Sequence, residues 1–156
     1  MSPVTFVDTS VLCELLRVPG KSQRPDEVRA ELDQRASRGE RFVIPVTAII
    51  ETGNHIVHAN GDRYGAAQRL CGLIDNIVRG DQSFLIHEFA WDGAFLQYLC
   101  EGDATGQRLD QWAAAGQMGT GDLAILVERD RFVARSALKR NDVTIWTLET
   151  VMGGYA

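Results

Sequence analysis

The sequence predicts an α/β fold: a three-layer α/β/α sandwich around a central parallel sheet, in one domain over residues 1–156. Three observations predict it. Short apolar, β-rich runs alternate with longer segments whose apolar residues recur at the helical period. Strands separated in this way by helices favour parallel βαβ units. No internal repeat, low-complexity segment or linker divides the chain, and 156 residues are enough for one buried core.

The elements follow in order. Residues 4–7 are an apolar, β-rich run ended by Asp8, Thr9 and Ser10, good N-cap chemistry for a helix through Leu12, Leu15 and Leu16. Pro19 and Gly20 break that helix, and Pro25 suits the first turn of a second one running to about Ser37. Phe42, Val43 and Ile44 read as a second strand closed by Pro45. Thr47 begins a third helix, residues 48–59, which ends near Asn60 and Gly61. A fourth covers residues 62–79, where Ala67, Leu70, Cys71, Ile74, Ile77 and Val78 keep the 3.6-residue period. Residues 84–86 read as a third strand. Residues 91–99 and 107–115 read as helices, residues 122–138 as a long helix introduced by Gly119, Thr120 and Gly121, and residues 143–146 as the last strand.

Composition is that of an ordinary soluble globular protein, 45% hydrophobic and 24% charged. No apolar run approaches the roughly 20 residues that cross a bilayer. The first ten residues lack the pattern of a signal peptide, so a cytoplasmic location and no membrane partner are expected. Cys13, Cys71 and Cys100 are odd in number, far apart, and set in apolar stretches, so each is expected to be a buried small side chain. The formal net charge of -5 argues mildly against a nucleic-acid binder, because phosphate contacts need Lys and Arg. An acidic site would contribute part of that charge, and arginines can still cluster locally.

Four acids stand out by position. Asp8 follows the first strand, Glu51 lies early in the helix after the second strand, and Asp122 sits at the mouth of the long helix. Glu149 comes two residues after Thr147 at the end of the last strand. A helix cap or a favourable helix dipole explains each one singly. Their common placement points elsewhere, because strand ends and the helix starts after them converge on one edge of a parallel α/β sheet. Carboxylates gathered there repel unless a cation compensates or their pKa values rise. Oxygen-only ligands suit Mg²⁺ or Mn²⁺.

The segments carrying these acids resemble the PIN-domain family, and within it the VapC-like toxins. Residues 7–12 (VDTSVL) look like that family's opening strand motif, residues 44–51 (IPVTAIIE) like its second, and residues 121–126 (GDLAIL) like its third. Residues 146–149 (WTLE) resemble the fourth, with Glu149 where the family usually has aspartate. Asp142 is the alternative acid, although it precedes the strand. The resemblance covers nearly the whole chain, and residues 87–120 are longer than in a minimal toxin of this type.

The resemblance implies metal-dependent endoribonuclease activity, with Asp8, Glu51, Asp122 and Glu149 as catalytic and metal-ligating acids for Mg²⁺ or Mn²⁺. It assigns Thr9, Ser10, Asn54 and Thr147 to substrate binding or to orienting the ligands. It also implies RNA as substrate, a small antitoxin as partner and a homodimer formed through the third and fourth helices. Rival readings are a housekeeping PIN nuclease in RNA processing, a degenerate PIN-like module that binds RNA or protein, and an aspartate-nucleophile phosphatase. The phosphatase normally has a second acid two residues after the first, where this chain has Ser10. His55 and His58 lack a third imidazole or thiolate for zinc. Arg129, Arg131, Arg135, Lys139 and Arg140 make a basic stretch, to be read either as a solvated helix face or as an RNA contact. Trp91, Phe95, Tyr98 and Trp112 read as core or dimer surface, and Asp92, Asp103 and Asp110 as solvated.

Overall fold

Val4–Val7 is buried along its whole length and forms β1, the middle strand of a sheet ordered β2-β1-β3, with β2 at Arg41–Val43 and β3 at Val143–Trp146. Both pairings are parallel; Phe6 lies opposite Val43 on one side and Ile145 on the other. The computed structural model describes residues 2–156. Among them are α1 (Thr9–Leu15), α2 (Pro25–Ser37), α3 (Val46–His58), α4 (Arg63–Val78), α5 (Gly93–Glu101), α6 (Leu109–Ala115), α7 (Thr120–Arg135) and α8 (Thr150–Gly153). None of these is long and apolar enough to cross a membrane.

Side chains alternate between the faces of a strand, and here the alternation separates two cores. Val4, Phe6, Val43 and Ile145 pack with Ala48, Phe95, Trp112 and Leu126 of α3, α5, α6 and α7. Val7, Phe42 and Trp146 pack on the other side with Val11 of α1 and Val28 of α2. The fold is therefore α/β with a parallel sheet between helical layers, as predicted. The chain runs from β1 to β2 on one side and later returns to place β3 on the other. Strand order thus reverses beside the carboxyl end of β1, the place where open α/β sheets bind ligands.

Local signals set most helix boundaries. Asp62 caps α4 by accepting from the Gly65 amide at 2.8 Å, and Asp92 caps α5 by accepting from the Phe95 amide at 2.8 Å. Gly102, at φ 80°, ends α5. Any side chain there would run into the Gln107 carbonyl. The expected strand at residues 84–86 is a correction: only Phe84 bridges, to Phe42. The Phe42 carbonyl accepts from the Leu85 amide at 2.8 Å, and then the chain leaves the sheet edge. It turns inward because His87 and Phe89 pack beside Phe6 and Phe95, with ring centroids 5.8 Å and 4.8 Å apart. Cys13 is buried, but Cys71 and Cys100 are exposed, on outward faces of α4 and α5. The apolar character of a stretch does not say which face each cysteine takes.

Residues 123–129 of α7 are all buried, and the helix threads between the sheet and α5. Arg129, expected in a solvated or RNA-facing stretch, is 1% exposed. Its guanidinium donates to Asp130 at 2.6 Å and to the Tyr155 carbonyl at 2.9 Å, so it holds the chain's end. Arg131 donates to Asp92 at 3.0 Å, so these two arginines of the stretch are structural ties, whereas Arg135 and Lys139 are exposed.

Glu128 is also buried, with its Oε1 3.7 Å from His87 Nε2, too far for a hydrogen bond. Burial pushes its carboxyl up to about 7 and pushes the His87 imidazole down, so burial favours the uncharged form of both. A carboxyl raised in the folded state stabilises fully below its ordinary value of 4.5 and loses that contribution as pH rises through 7. Glu128→Gln is therefore expected to be more stable than wild type by about 3 kcal/mol at pH 8 and nearly equal at pH 4. Urea unfolding at the two pH values checks this; equal differences at both would overturn it.

Candidate functional site

A cleft of about 580 Å³ opens at the carboxyl end of β1, lined by Asp8, Glu51, Asp122 and Glu149 among others. Asp8 is the first residue beyond β1 and the N-cap of α1. Its amide donates to the Trp146 carbonyl at 3.0 Å, so β1 and β3 together fix its backbone. Its Oδ2 takes every bond the carboxylate makes: from Ser10 Oγ at 2.7 Å, from Thr147 Oγ1 at 2.8 Å and from the Ser10 amide at 3.4 Å. Its Oδ1 is buried and has no partner. The cap therefore rests on one oxygen of the carboxylate and leaves the other without a partner.

Ser10 and Thr147 are held in turn. Ser10 Oγ accepts from the Leu148 amide at 2.9 Å, and Thr147 Oγ1 accepts from the Glu149 amide at 3.0 Å. Each hydroxyl thus spends its proton on Asp8 and a lone pair on the turn after β3. The result is a small, fully directed network that orients Asp8.

Glu51 lies in the second turn of α3, later than the first-turn position expected, because the helix begins at Val46 with Pro45 as its N-cap. Its Oε1 accepts from Thr9 Oγ1 at 3.2 Å. Burial raises its carboxyl above the ordinary range, opposed by the Thr9 bond, and the Asp8 charge raises it further. Asp122, in the first turn of α7, is pushed up to about 6 by burial, then by the charges of Asp8 and Glu51. Glu149 adds the smallest contribution. Glu149 itself is exposed at the rim, where it caps α8 without a side-chain bond.

Among the described residues, no three His, Cys, Asp or Glu side chains are grouped tightly enough to hold a metal ion as they stand. The charges nonetheless converge: Asp122 feels all three other acids. The four acids offer carboxylate oxygens only, the set that suits Mg²⁺ or Mn²⁺. The unpartnered Oδ1 of Asp8 is a buried acceptor with capacity for a cation, since a buried polar atom without a partner is costly. By donor chemistry, though not by their present spacing, the residues fit such an ion.

Asn54, expected to orient Glu51, is exposed and does not line the cleft. The residue one helical turn beyond Glu51 that does line it is His55, whose imidazole is pushed down by burial and then by Lys21 and His58. His58 is exposed and bonded to the Asn54 carbonyl. Asp142 lies in a short turn before β3, at the other end of the strand from Thr147. Cys13 reaches the cleft wall, but burial pushes its thiol up to about 11, so it stays protonated.

Two cleft residues, and the role of a third, are not predicted by the sequence. Lys21 and Arg24 form part of the cleft wall, and Gly121 lies against the Glu51 carboxylate. A basic residue in a loop and a glycine in a helix entry carry no local mark of this; Lys21 being one of two lysines in the chain was the only signal. Comparison of the chain with protein-family models, with curated proteins and with solved structures finds no match.

Proposed function

We propose that this protein is a metal-dependent endoribonuclease of PIN-like type. The observation that carries the reading is the divided Asp8 carboxylate: Oδ2 is saturated by Ser10 and Thr147, Oδ1 is buried and unpartnered, and Glu51 and Asp122 line the same cleft. Asp8, Glu51 and Asp122 are the side chains that would hold Mg²⁺ or Mn²⁺, with Glu149 at the rim. A divalent ion bound there supplies a lowered water pKa and charge compensation on a phosphoryl group. The chain's own part is orientation and electrostatics. Ser10 and Thr147 fix Asp8, Thr9 restrains Glu51, and burial with the charges of Asp8 and Glu51 raises Asp122, so cation binding and deprotonation of Asp122 favour each other.

RNA as substrate, a role as the toxin of a toxin–antitoxin pair, a small antitoxin and a homodimer belong to this proposal through the family resemblance. Growth arrest on expression, relieved by a neighbouring small protein, is the result expected of a toxin. Its absence favours a housekeeping nuclease.

Purified protein is expected to cleave structured RNA with Mg²⁺ or Mn²⁺ and not in EDTA. Its apparent Mg²⁺ affinity is expected to rise from pH 5 to pH 7, as Asp122 loses its proton near 6. A stable aspartyl-phosphate on Asp8 would replace this reading with the phosphatase. Metal and RNA binding without turnover would replace it with a binding module.

A further inference from the structure

The loop between α1 and α2 forms one wall of the cleft through Gly20, Lys21, Gln23 and Arg24. A buried carboxylate holds it there. Glu14, 5% exposed, lies on α1 and spends both oxygens on this loop. It accepts from the Gln23 amide at 3.1 and 3.0 Å, from the Arg24 amide at 3.0 Å and from Ser22 Oγ at 3.1 Å. Arg24 is the N-cap of α2 and makes no side-chain cap bond, so Glu14 supplies the acceptor that the helix start lacks.

The consequence is electrostatic. Lys21 and Arg24 are exposed and, among the described residues, neither forms an ion pair, whereas nearby Arg17 is bound to Asp26 and Arg35 to Glu31. Glu14 also lines the cleft but is spent on the loop amides, so the cleft sets Asp8, Glu51, Asp122 and Glu149 against two uncommitted cations on the loop. The Glu14 bonds fix the backbone from which both cations project. A divided surface of this kind matches a phosphodiester strand, whose reacting phosphate meets the acidic side through a cation while its neighbouring phosphates need positive partners.

We propose that Lys21 and Arg24 hold the RNA phosphates flanking the cleaved bond, and that Glu14 is the positioning residue for both. The assignment rests on the nuclease reading of the same cleft. A basic peptide on this wall would be repelled by it.

The test is binding of a short fluorescein-labelled single-stranded RNA, in EDTA, across a range of KCl concentrations. Lys21→Ala/Arg24→Ala is expected to weaken binding about tenfold at low salt. It should also reduce the slope of log Kd against log salt by about 1.4, two contacts at about 0.7 each. An unchanged slope and Kd would overturn the proposal. Both residues are exposed, so the variant is expected to melt with wild type. Glu14→Gln is expected to raise KM more than it lowers kcat; a fall in kcat at unchanged KM would remove Glu14 from this role. Because binding is read without metal, a loss of the nuclease reading shows separately, as no cleavage by wild type in Mg²⁺ or Mn²⁺.

Discussion

Asp8→Asn is expected to lower metal-dependent RNA cleavage by about a thousandfold while leaving the melting temperature unchanged or slightly raised. Asparagine is as good an N-cap as aspartate, and its carbonyl oxygen can accept the bonds now given by Ser10 and Thr147. What it cannot keep is the charge or the acceptor at Oδ1, where an amide nitrogen would present protons instead. Loss of that charge also relieves repulsion, since Asp8 is the leading charge that raises Asp122. The Asp122 carboxyl should therefore titrate below about 6 in the variant, a shift visible by NMR. Single-turnover cleavage and thermal melting test the rest. Cleavage equal to wild type would end the proposed role of Asp8, and a large fall in melting temperature would reassign it to structure.

The part of this site legible in the sequence is the part encoded locally. An apolar run followed by Asp8, Thr9 and Ser10 specifies a strand, a cap and a helix start, and β1 and α1 form there. Once the sheet is parallel, its carboxyl edge gathers Asp8, Glu51, Asp122 and Glu149 without further information. Residues Asn54 and His55 show the limit of this reasoning. Both are near Glu51 on α3, and choosing between i+3 and i+4 requires knowing the exact rotation of the helix against β1.

The illegible part depends on contacts between distant segments. Arg129 lies in a run of charges that reads as a solvated face or an RNA contact, yet the returning C-terminal segment covers it and takes its bond through Tyr155. Phe84 begins a strand-like run, but the aromatic packing of His87 and Phe89 draws the chain off the sheet after one bridge. Glu14 looks like an ordinary polar position on a short helix. Its burial becomes intelligible only when the loop folds back to place three donors around it.

Gly121 provides the sharpest separation of stability from function. It lies in the first turn of α7 without a positive φ, so its backbone does not demand glycine. Space does: a methyl group there would overlap all three atoms of the Glu51 carboxylate. In a helix, alanine is favoured over glycine by about 1 kcal/mol, and the obstructing atoms are the free end of a flexible side chain. Gly121→Ala is therefore expected to melt at or above the wild-type temperature with Glu51 swung away from Asp122. A displaced ligand of about 1 Å costs on the order of a hundredfold in rate, so cleavage should fall by that amount and Mg²⁺ should bind more weakly. Glu51→Ala in the same background should cost little more, because the carboxylate is already out of place. Full activity in Gly121→Ala would show that Glu51 works from a position other than the one it holds against α7.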